Sequence, residues 1–385
     1  MILRVPDYYE QFKCLADRCK DSCCIGWEID IDEDTYDYYK TVEGEFGDRL
    51  RSKIMNSEEP SFILQKGGRC PLLNKDNLCD ICIELGESSL CEICTEYPRF
   101  TLEYDHTREK CLGLSCEEAG RLIFLDDHKA SFLETEIPEY YDEDEDETEE
   151  EKGMASYFQD ARDMAIQIVQ WRERKIEERI SLLIAFATEL QELIKHDTPE
   201  EIEELVHNYG DILLGKQRAI EVNPAIEEEL KLAFEERMEL FAGMEILDEE
   251  WRTYYDEVKA FFETQEYAQS LKDFMSHYRE REYEYENLMV YFIFRYFMKA
   301  VYDSNVLAKV KFAAASFLMI RDMDIVRFVK NGNAFTVEDR IDVARIYSKE
   351  VEHSEDNLEY LSECFLFEEV FQTESMMKQV IGSED

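Results

Sequence analysis

Basic residues are scarce in this chain. Its 43 lysines and arginines stand against 90 aspartates and glutamates, a formal net charge of −47. Phosphate neutralisation needs clustered lysine and arginine, so a nucleic-acid surface is excluded and any polymer recognised is expected to be basic. The same acidity also keeps a protein soluble and apart from its copies. Long apolar runs are missing as well. The longest largely apolar stretches, 288–294 and 312–320, fall far short of the roughly 20 residues a membrane span needs. The opening MILRVPDYYEQFK carries charges at Arg4, Asp7 and Glu10 and offers neither a secretory apolar core nor a transit peptide. The expectation is a soluble, cytoplasmic protein with no membrane contact. Absent too are a GxGxxG loop, a P-loop and a His-Glu-x-x-His pair, the only adjacent glycines being Gly67-Gly68, so no ordinary nucleotide cradle or zincin site is visible. A Cys-x3-Cys-x2-Cys motif is also missing, which removes support for a reductively cleaved methyl donor.

What is present is enough for two or three domains: 385 residues, 45% apolar and 12% aromatic. The cysteines are unevenly placed. Of twelve, eleven lie between Cys14 and Cys116, and only Cys364 lies outside. In a reducing compartment thiols gathered at short spacings are better explained as metal ligands than as disulfides.

The fold expected is mainly α, a cysteine-rich metal-organised N-terminal module followed by an all-α helical domain. Residues 1–137 read as the module, broken by Gly67-Gly68 and Cys70-Pro71. Within it Asp32 caps a helix whose Val42, Phe46, Leu50 and Ile54 share one face. Residues 138–153 form an acidic linker, because 139–151 hold ten acids and no base and leave nothing to bury. From Met154 to Asp385 the pattern turns helical, with Ile166, Val169, Ile176, Ile180, Leu183, Ala187, Leu190 and Ile194 on one stripe. Further helices are expected at 199–214, 224–242, 251–262, 265–301, 307–329, 336–351 and 357–380, entered behind Thr198-Pro199 and Asn223-Pro224 in two cases.

Two thiol clusters carry the chemistry. The first is Cys14-x4-Cys19-x3-Cys23-Cys24, followed by Gly26-Trp27. Adjacent Cys23 and Cys24 cannot both point into one small site without a tight bend, so they either serve different sites or one supports the other. The second is duplicated internally, Leu78-Cys79-Asp80-Ile81-Cys82 and Leu90-Cys91-Glu92-Ile93-Cys94, preceded by Cys70 and followed by Cys111 and Cys116. A CxxC turn lets two thiolates grip one ion, and two such turns complete a four-thiolate site. The surplus of thiols over the six histidines leans toward an iron–sulfur cluster, with zinc as the alternative.

These residues also carry a resemblance. Phe12-Lys13-Cys14, Cys19, Asp21, Cys23-Cys24, Gly26-Trp27 and Ile31-Asp32 resemble the opening of the flagellin lysine-N-methylase family. Cys70-Pro71-Leu72-Leu73, Leu78 to Ile81, Leu85-Gly86-Glu87, Cys94, Tyr97-Pro98-Arg99 and Leu114 to Ala119 with Arg121-Leu122 are similar to its second block. Glu286-Asn287-Leu288, Tyr291, Arg295-Tyr296 and Glu352-His353-Ser354 to Asn357 are similar to its helical part.

The resemblance implies metal ligands Cys14, Cys19, Cys23, Cys24, Cys70, Cys79, Cys94 and Cys116. Cys82, Cys91 and Cys111 fall outside its pattern and are possible additions. It further implies N-methylation of flagellin lysines with S-adenosylmethionine as donor. An ammonium with a pKa of about 10.4 must lose a proton before it can attack a sulfonium methyl, so a base or a dry pocket is required. Glu286, Tyr291 and His353 are the candidates. Their plain readings are a helix-pairing carboxylate, a core tyrosine and a cation at a helix end. The alternative function is a non-enzymatic metal-chelating or redox-sensing adaptor that holds a basic partner.

Overall fold

A computed structural model describes the chain except for residues 58, 139–148, 197, 199, 218–221 and 384–385, and except for the side chains of 149–153. Residues 139–148 of the expected acidic linker and Pro199 at the expected helix entry lie outside the described residues, whereas 149–153, also assigned to the linker, already belong to a helix. In chain order the elements begin with strand β1 (Ile2–Pro6), helices α1 (Glu33–Thr41) and α2 (Gly44–Arg51), and short strands β2 (Ile54–Met55) and β3 (Ser61–Phe62). One-turn helices α3 (Asp80–Glu84) and α4 (Glu92–Glu96) follow, then β4 (Arg99–Tyr104), β5 (Thr107–Leu112), α5 (Glu117–Phe124) and β6 (Phe132–Glu136).

The helical part comprises α6 (Glu149–Val169), α7 (Ile176–Lys195), α8 (Glu200–Leu213), α9 (Glu227–Phe241), α10 (Glu249–Thr264) and α11 (Tyr267–Tyr278). It continues with α12 (Glu282–Tyr296), α13 (Ala300–Asp303), α14 (Val306–Lys330), α15 (Val337–Val351), α16 (Glu355–Phe367) and α17 (Thr373–Ile381). The protein is mainly α, and no helix is long and apolar enough to cross a membrane among the described residues.

Asp32 caps α1 as expected, its Oδ1 accepting the Thr35 N–H at 2.9 Å. The single helix expected beyond it is two. Val42 turns extended after Thr41, and Gly44 takes a φ of +86°, open to glycine and costly for other residues, so Phe46 and Leu50 belong to α2 and Ile54 to a strand. The helix expected over 265–301 is likewise interrupted. At 279–281 the chain tightens, because the Arg281 guanidinium pairs with Glu284 and donates to the Phe335 carbonyl at 2.6 Å, which redirects α12. The 357–380 helix breaks at Glu368, and the 166–194 stripe is shared by α6 and α7.

Two apolar cores result. The smaller, around Ile29, Ile31, Tyr39, Leu50, Phe62, Leu72 and Ile81, includes Cys70 and Cys91. The larger gathers α6 to α17 around α12 and α14, whose side chains are almost all buried, and it takes in Tyr104, Leu114, Ile123 and Phe124 from before the acidic segment. The sheet, in order β4-β5-β1-β6 with only β1 and β5 parallel, was not expected from sequence. It is stitched to α6 by one buried and one half-exposed ion pair. Arg162 places Nη1 2.7 Å from both oxygens of Glu109, Tyr104 donates to that carboxylate at 2.7 Å, and Arg4 reaches Asp163 at 2.8 Å.

Removing one partner of such a pair strands a buried charge. Arg162→Met is expected to lower stability by about 3–5 kcal/mol, and Arg162→Met combined with Glu109→Leu to recover most of that loss. Urea unfolding of the full chain measures both; equal losses in the single and double variants would show that the pair itself is not what is being broken.

Candidate metal centre and catalytic residues

The duplicated motif folds as a duplicated structure. Cys79 and Cys91 are the residues that open α3 and α4, and Cys116 opens α5 in the same way. The first-turn amides of these helices bond the sulfurs: Ile81 and Cys82 N–H to Cys79, Cys94 N–H to Cys91, and Glu118 and Ala119 N–H to Cys116. Oriented amides favour the thiolate, the form that binds metal. Asp32 ties this part together, since its second oxygen accepts the Glu92 N–H at 2.8 Å while the first caps α1.

Ten of the twelve cysteines line one cavity of about 760 Å3, with Trp27, Tyr39 and Tyr97 among its walls. Their mutual electrostatics sort them into two sets. Cys14, Cys19, Cys23 and Cys116 act on one another, whereas Cys24, Cys70, Cys79, Cys82, Cys91 and Cys94 form the second group. Cys23 bridges the two sets, since its strongest interaction is its bond to Cys24 while Cys14 and Cys116 also act on it.

Burial, with neighbouring thiols adding to it, pushes Cys19 and Cys82 up to about 12. Burial also raises Cys70 to about 12 and Cys116 to about 11, against amide bonds that pull the other way. Two pairs share a proton. The bond from Cys23 lowers Cys24 and that from Cys94 lowers Cys91, while the donors Cys23 and Cys94 are raised. All twelve thiols are free. Thiols are soft donors of the kind that take iron–sulfur clusters or zinc, but no three His, Cys, Asp or Glu side chains are placed to hold one ion among the described residues. Cys111 does not line the cavity: it is a buried residue of β5 itself, beside Arg295 and Glu352.

The helical body closes one side of the cavity through α15. Asp21, beside the first thiol cluster, accepts Arg345 at 2.9 Å and Lys349 at 3.0 Å. Opposite, Gly26 and Gly68 cross so closely that a Cβ on Gly68 would stand 3.1 Å from the Gly26 backbone, and both have positive φ. These two glycines let the Cys24 and Cys70 segments approach, with Cys70 N–H bonding the Cys24 carbonyl at 2.8 Å.

Each of the three candidate bases is engaged by other groups. Glu286, fully buried, is gripped by Arg172 at 2.7 and 2.9 Å and by Arg179 at 2.7 Å, so its partners are these and not Arg295. Tyr291 donates to Glu352 at 2.9 Å and accepts from Arg295 and the Leu114 N–H, and its burial raises its pKa well above the ordinary value. His353 places Nε2 2.7 Å from Ser115 Oγ, within 5.0 Å of the Trp27 ring centre and 5.7 Å of Phe100. Burial, then Arg295 and Lys349, lower it to about 3, so it is a neutral imidazole and not a helix-end cation. The node made by Arg295, Glu352, Tyr291 and Tyr296 was not foreseen as a unit. Tyr291 stands four residues before the adjacent Arg295 and Tyr296 on α12, with the carboxylate far off in sequence, so no local signal joined them to it.

The fold and site define a helical protein carrying a thiol-lined chamber built from Cys-headed turns. The model of the FliB lysine N-methylase C-terminal domain matches residues 162–379, more than half of the chain, and the chain belongs to that family. It is similar to the lysine-N-methylase of Salmonella typhimurium (strain LT2), 28% identical over 139 residues, 34% of this chain and 35% of that protein. The lysine-N-methylase of Salmonella choleraesuis gives 28% over 143 residues, with the same shares. The flagellar biosynthetic protein FliU of Salmonella muenchen is 30% identical over 128 residues, 31% of this chain and 76% of that protein. The chain thus spans about a third of the length of the two lysine-N-methylases. No solved structure matches.

A histidine whose folded pKa lies below its unfolded value of about 6.5 stabilises the fold above that pH and loses this contribution as pH falls toward 3. His353→Gln is expected to flatten the fall in stability between pH 6.5 and 4 by up to about 1.4 kcal/mol per pH unit. Denaturant titrations across that range measure it; parallel slopes would mean that His353 titrates as in water.

Proposed function

We propose that this chain N-methylates lysine side chains of flagellin with S-adenosylmethionine as donor. The reading is carried by the match of its helical body to the FliB lysine N-methylase domain. The names of the similar Salmonella proteins support it. The thiol-lined cavity, at about 760 Å3, falls within the roughly 300–1,000 Å3 typical of small-molecule sites and is the proposed place of the donor. S-adenosylmethionine supplies an electrophilic methyl on sulfonium; this chain's part is to position the amine and exclude water.

The metal proposed is an iron–sulfur cluster, with zinc as the alternative. Cys14, Cys19, Cys23 and Cys116 are one set of four thiols that would supply its ligands, and Cys24, Cys70, Cys79 and Cys94 are another, with Cys82 and Cys91 beside the second. Bound metal supplies cross-links that the small core around Ile29 and Leu72 does not. The second reading, a metal-holding adaptor for a basic partner, is favoured by one observation: Glu286 and Tyr291 are committed to other groups and His353 is weakly basic.

Transfer of label from S-adenosylmethionine to flagellin by anaerobically purified protein is the expected outcome, with methyl-lysine identified by mass spectrometry. The net charge of −47 draws a lysine-bearing surface over a screening length that shrinks from roughly 30 to 8 Å between 0.01 and 0.15 M salt. The rate at limiting flagellin is therefore expected to fall with salt, while single-turnover chemistry at saturation is not. No methyl-lysine on flagellin leaves the adaptor reading; a rate indifferent to salt leaves the acidity as solubility alone.

Metal content is checked separately. Wild-type protein is expected to carry iron or zinc by elemental analysis, and Cys79→Ser to lose most of it together with an early melting transition. A folded, metal-free wild type would end the metal reading.

A further inference from the structure

The duplicated motif buries its isoleucine in one copy and exposes it in the other. Ile81, in the first copy, is 2% exposed and belongs to the small core, whereas Ile93, at the same place in the second, is 48% exposed. Ile83, one residue past Cys82, is 56% exposed. Both exposed isoleucines also line the thiol cavity, one from α3 and one from α4, so they stand where that cavity meets solvent. Single apolar side chains scattered on a surface need no explanation. Two at the edge of one cavity leave in water an apolar lip that a partner can cover.

The lip is acidic as well as apolar. Between Lys75 and Arg99 the chain has six acids and neither lysine nor arginine. Asp80 and Glu96 are paired with Arg49 and Lys110, which leaves Glu84, Glu87 and Glu92, all exposed, without a basic partner among the described residues. The three bases that line the cavity are held toward the first thiol cluster. Lys13 precedes Cys14, Lys349 binds Asp21 and Asp248 at 3.0 and 2.9 Å, and Arg99 lies over the Phe12 ring at 5.1 Å. On the α3 and α4 side, a cation on approach meets uncompensated carboxylates.

We propose that this lip is the docking site of the substrate polypeptide, and that it takes a basic segment carrying an aliphatic residue beside its lysine. The aliphatic residue covers Ile83 and Ile93, and the acids of α3 and α4 draw in the positive charge of the segment. The four-carbon stem of the lysine then carries its amine over the lip into the thiol cavity, the space proposed for the donor, so that amine and methyl group share one chamber. A lysine set among acidic neighbours is refused by the same carboxylates. This rests on the lysine-methylation reading and deepens it by stating which lysines are recognised.

Binding of flagellin to the full chain, followed by fluorescence anisotropy without donor and at equal metal content, tests the lip apart from methyl transfer. The double variant Ile83→Ser with Ile93→Ser is expected to bind about tenfold more weakly, a difference of ~1.4 kcal/mol. Glu87→Gln with Glu92→Gln is expected to weaken binding by about two- to fivefold at about 0.01 M salt and to lose that difference at about 1 M, where the screening length is roughly 3 Å. Leu232→Ser, on α9 and as exposed as Ile83 at 56%, is the control and is expected to bind as wild type. All five side chains are exposed, so the fold is expected to withstand the changes, which thermal melts check. Unchanged binding by the isoleucine variant, an equal loss in Leu232→Ser, or no binding of flagellin by the wild type overturns the lip. Methylation run in parallel separates the two readings. An isoleucine variant that methylates flagellin with the wild-type KM sinks the lip and keeps the function, whereas a wild type that binds through the lip yet transfers no methyl keeps the lip and ends the methylation reading.

Discussion

The carboxylate of Glu352 is the point on which the arrangement of this molecule turns. It is buried just past the end of α15 and receives the Arg295 guanidinium and the hydroxyls of Tyr291 and Tyr296, all from α12. A lone carboxylate at that depth would cost several kcal/mol, so each donor is required and the crossing of α12 and α15 is fixed by the need to deliver them. The same donors reach outward. Arg295 lies 3.3 Å from the centre of the Phe100 ring on β4, and Tyr291 takes the Leu114 N–H beyond β5. His353, next along the chain, meets Ser115. One buried anion therefore sets where the sheet, the 114–116 turn and one wall of the thiol cavity stand relative to the helices.

The thiol region works by a different logic. It has a small core, and its helices α3 and α4 are single turns, too short to persist on their own. What they contribute is their open ends. A helix start holds unpaired amides, and placing cysteine there points those amides at sulfur. Using the device three times, at Cys79, Cys91 and Cys116, aims thiols at one space from three directions. The price is burial of crowded thiols, which, with the neighbouring sulfurs adding to it, raises Cys19 and Cys82 and disfavours their thiolates.

Much of this was legible in the sequence. The Asp32 cap, the helical body and the doubled Leu-Cys-acid-Ile-Cys motif are local features, each set by a few neighbouring residues, and they appear where expected. The sheet was not legible. Its strands β4 and β5 are joined at Asp105-His106, which lacks the glycine that usually marks a tight hairpin, and both alternate only weakly between buried and exposed. Nor was the fate of the candidate bases. Whether a glutamate is a base or a strut depends on what faces it across the core, and Arg172 and Arg179 lie more than a hundred residues from Glu286. Sequence spacing carries no information at that range.

The same distinction explains how so acidic a chain folds. Buried carboxylates such as Glu109, Glu286, Asp322, Asp324 and Glu352 are each matched by arginine, a side chain that stays charged when desolvated and offers several donors in a fixed fork. Among the described residues buried bases and buried acids are about equal in number, so the interior is close to neutral and the excess negative charge is left to the surface, where water and salt screen it. Arginine spent in the core cannot face a partner. The surface therefore carries the acidic excess of the whole chain, and a partner that docks on it must bring its own positive charge, as a lysine-bearing protein does.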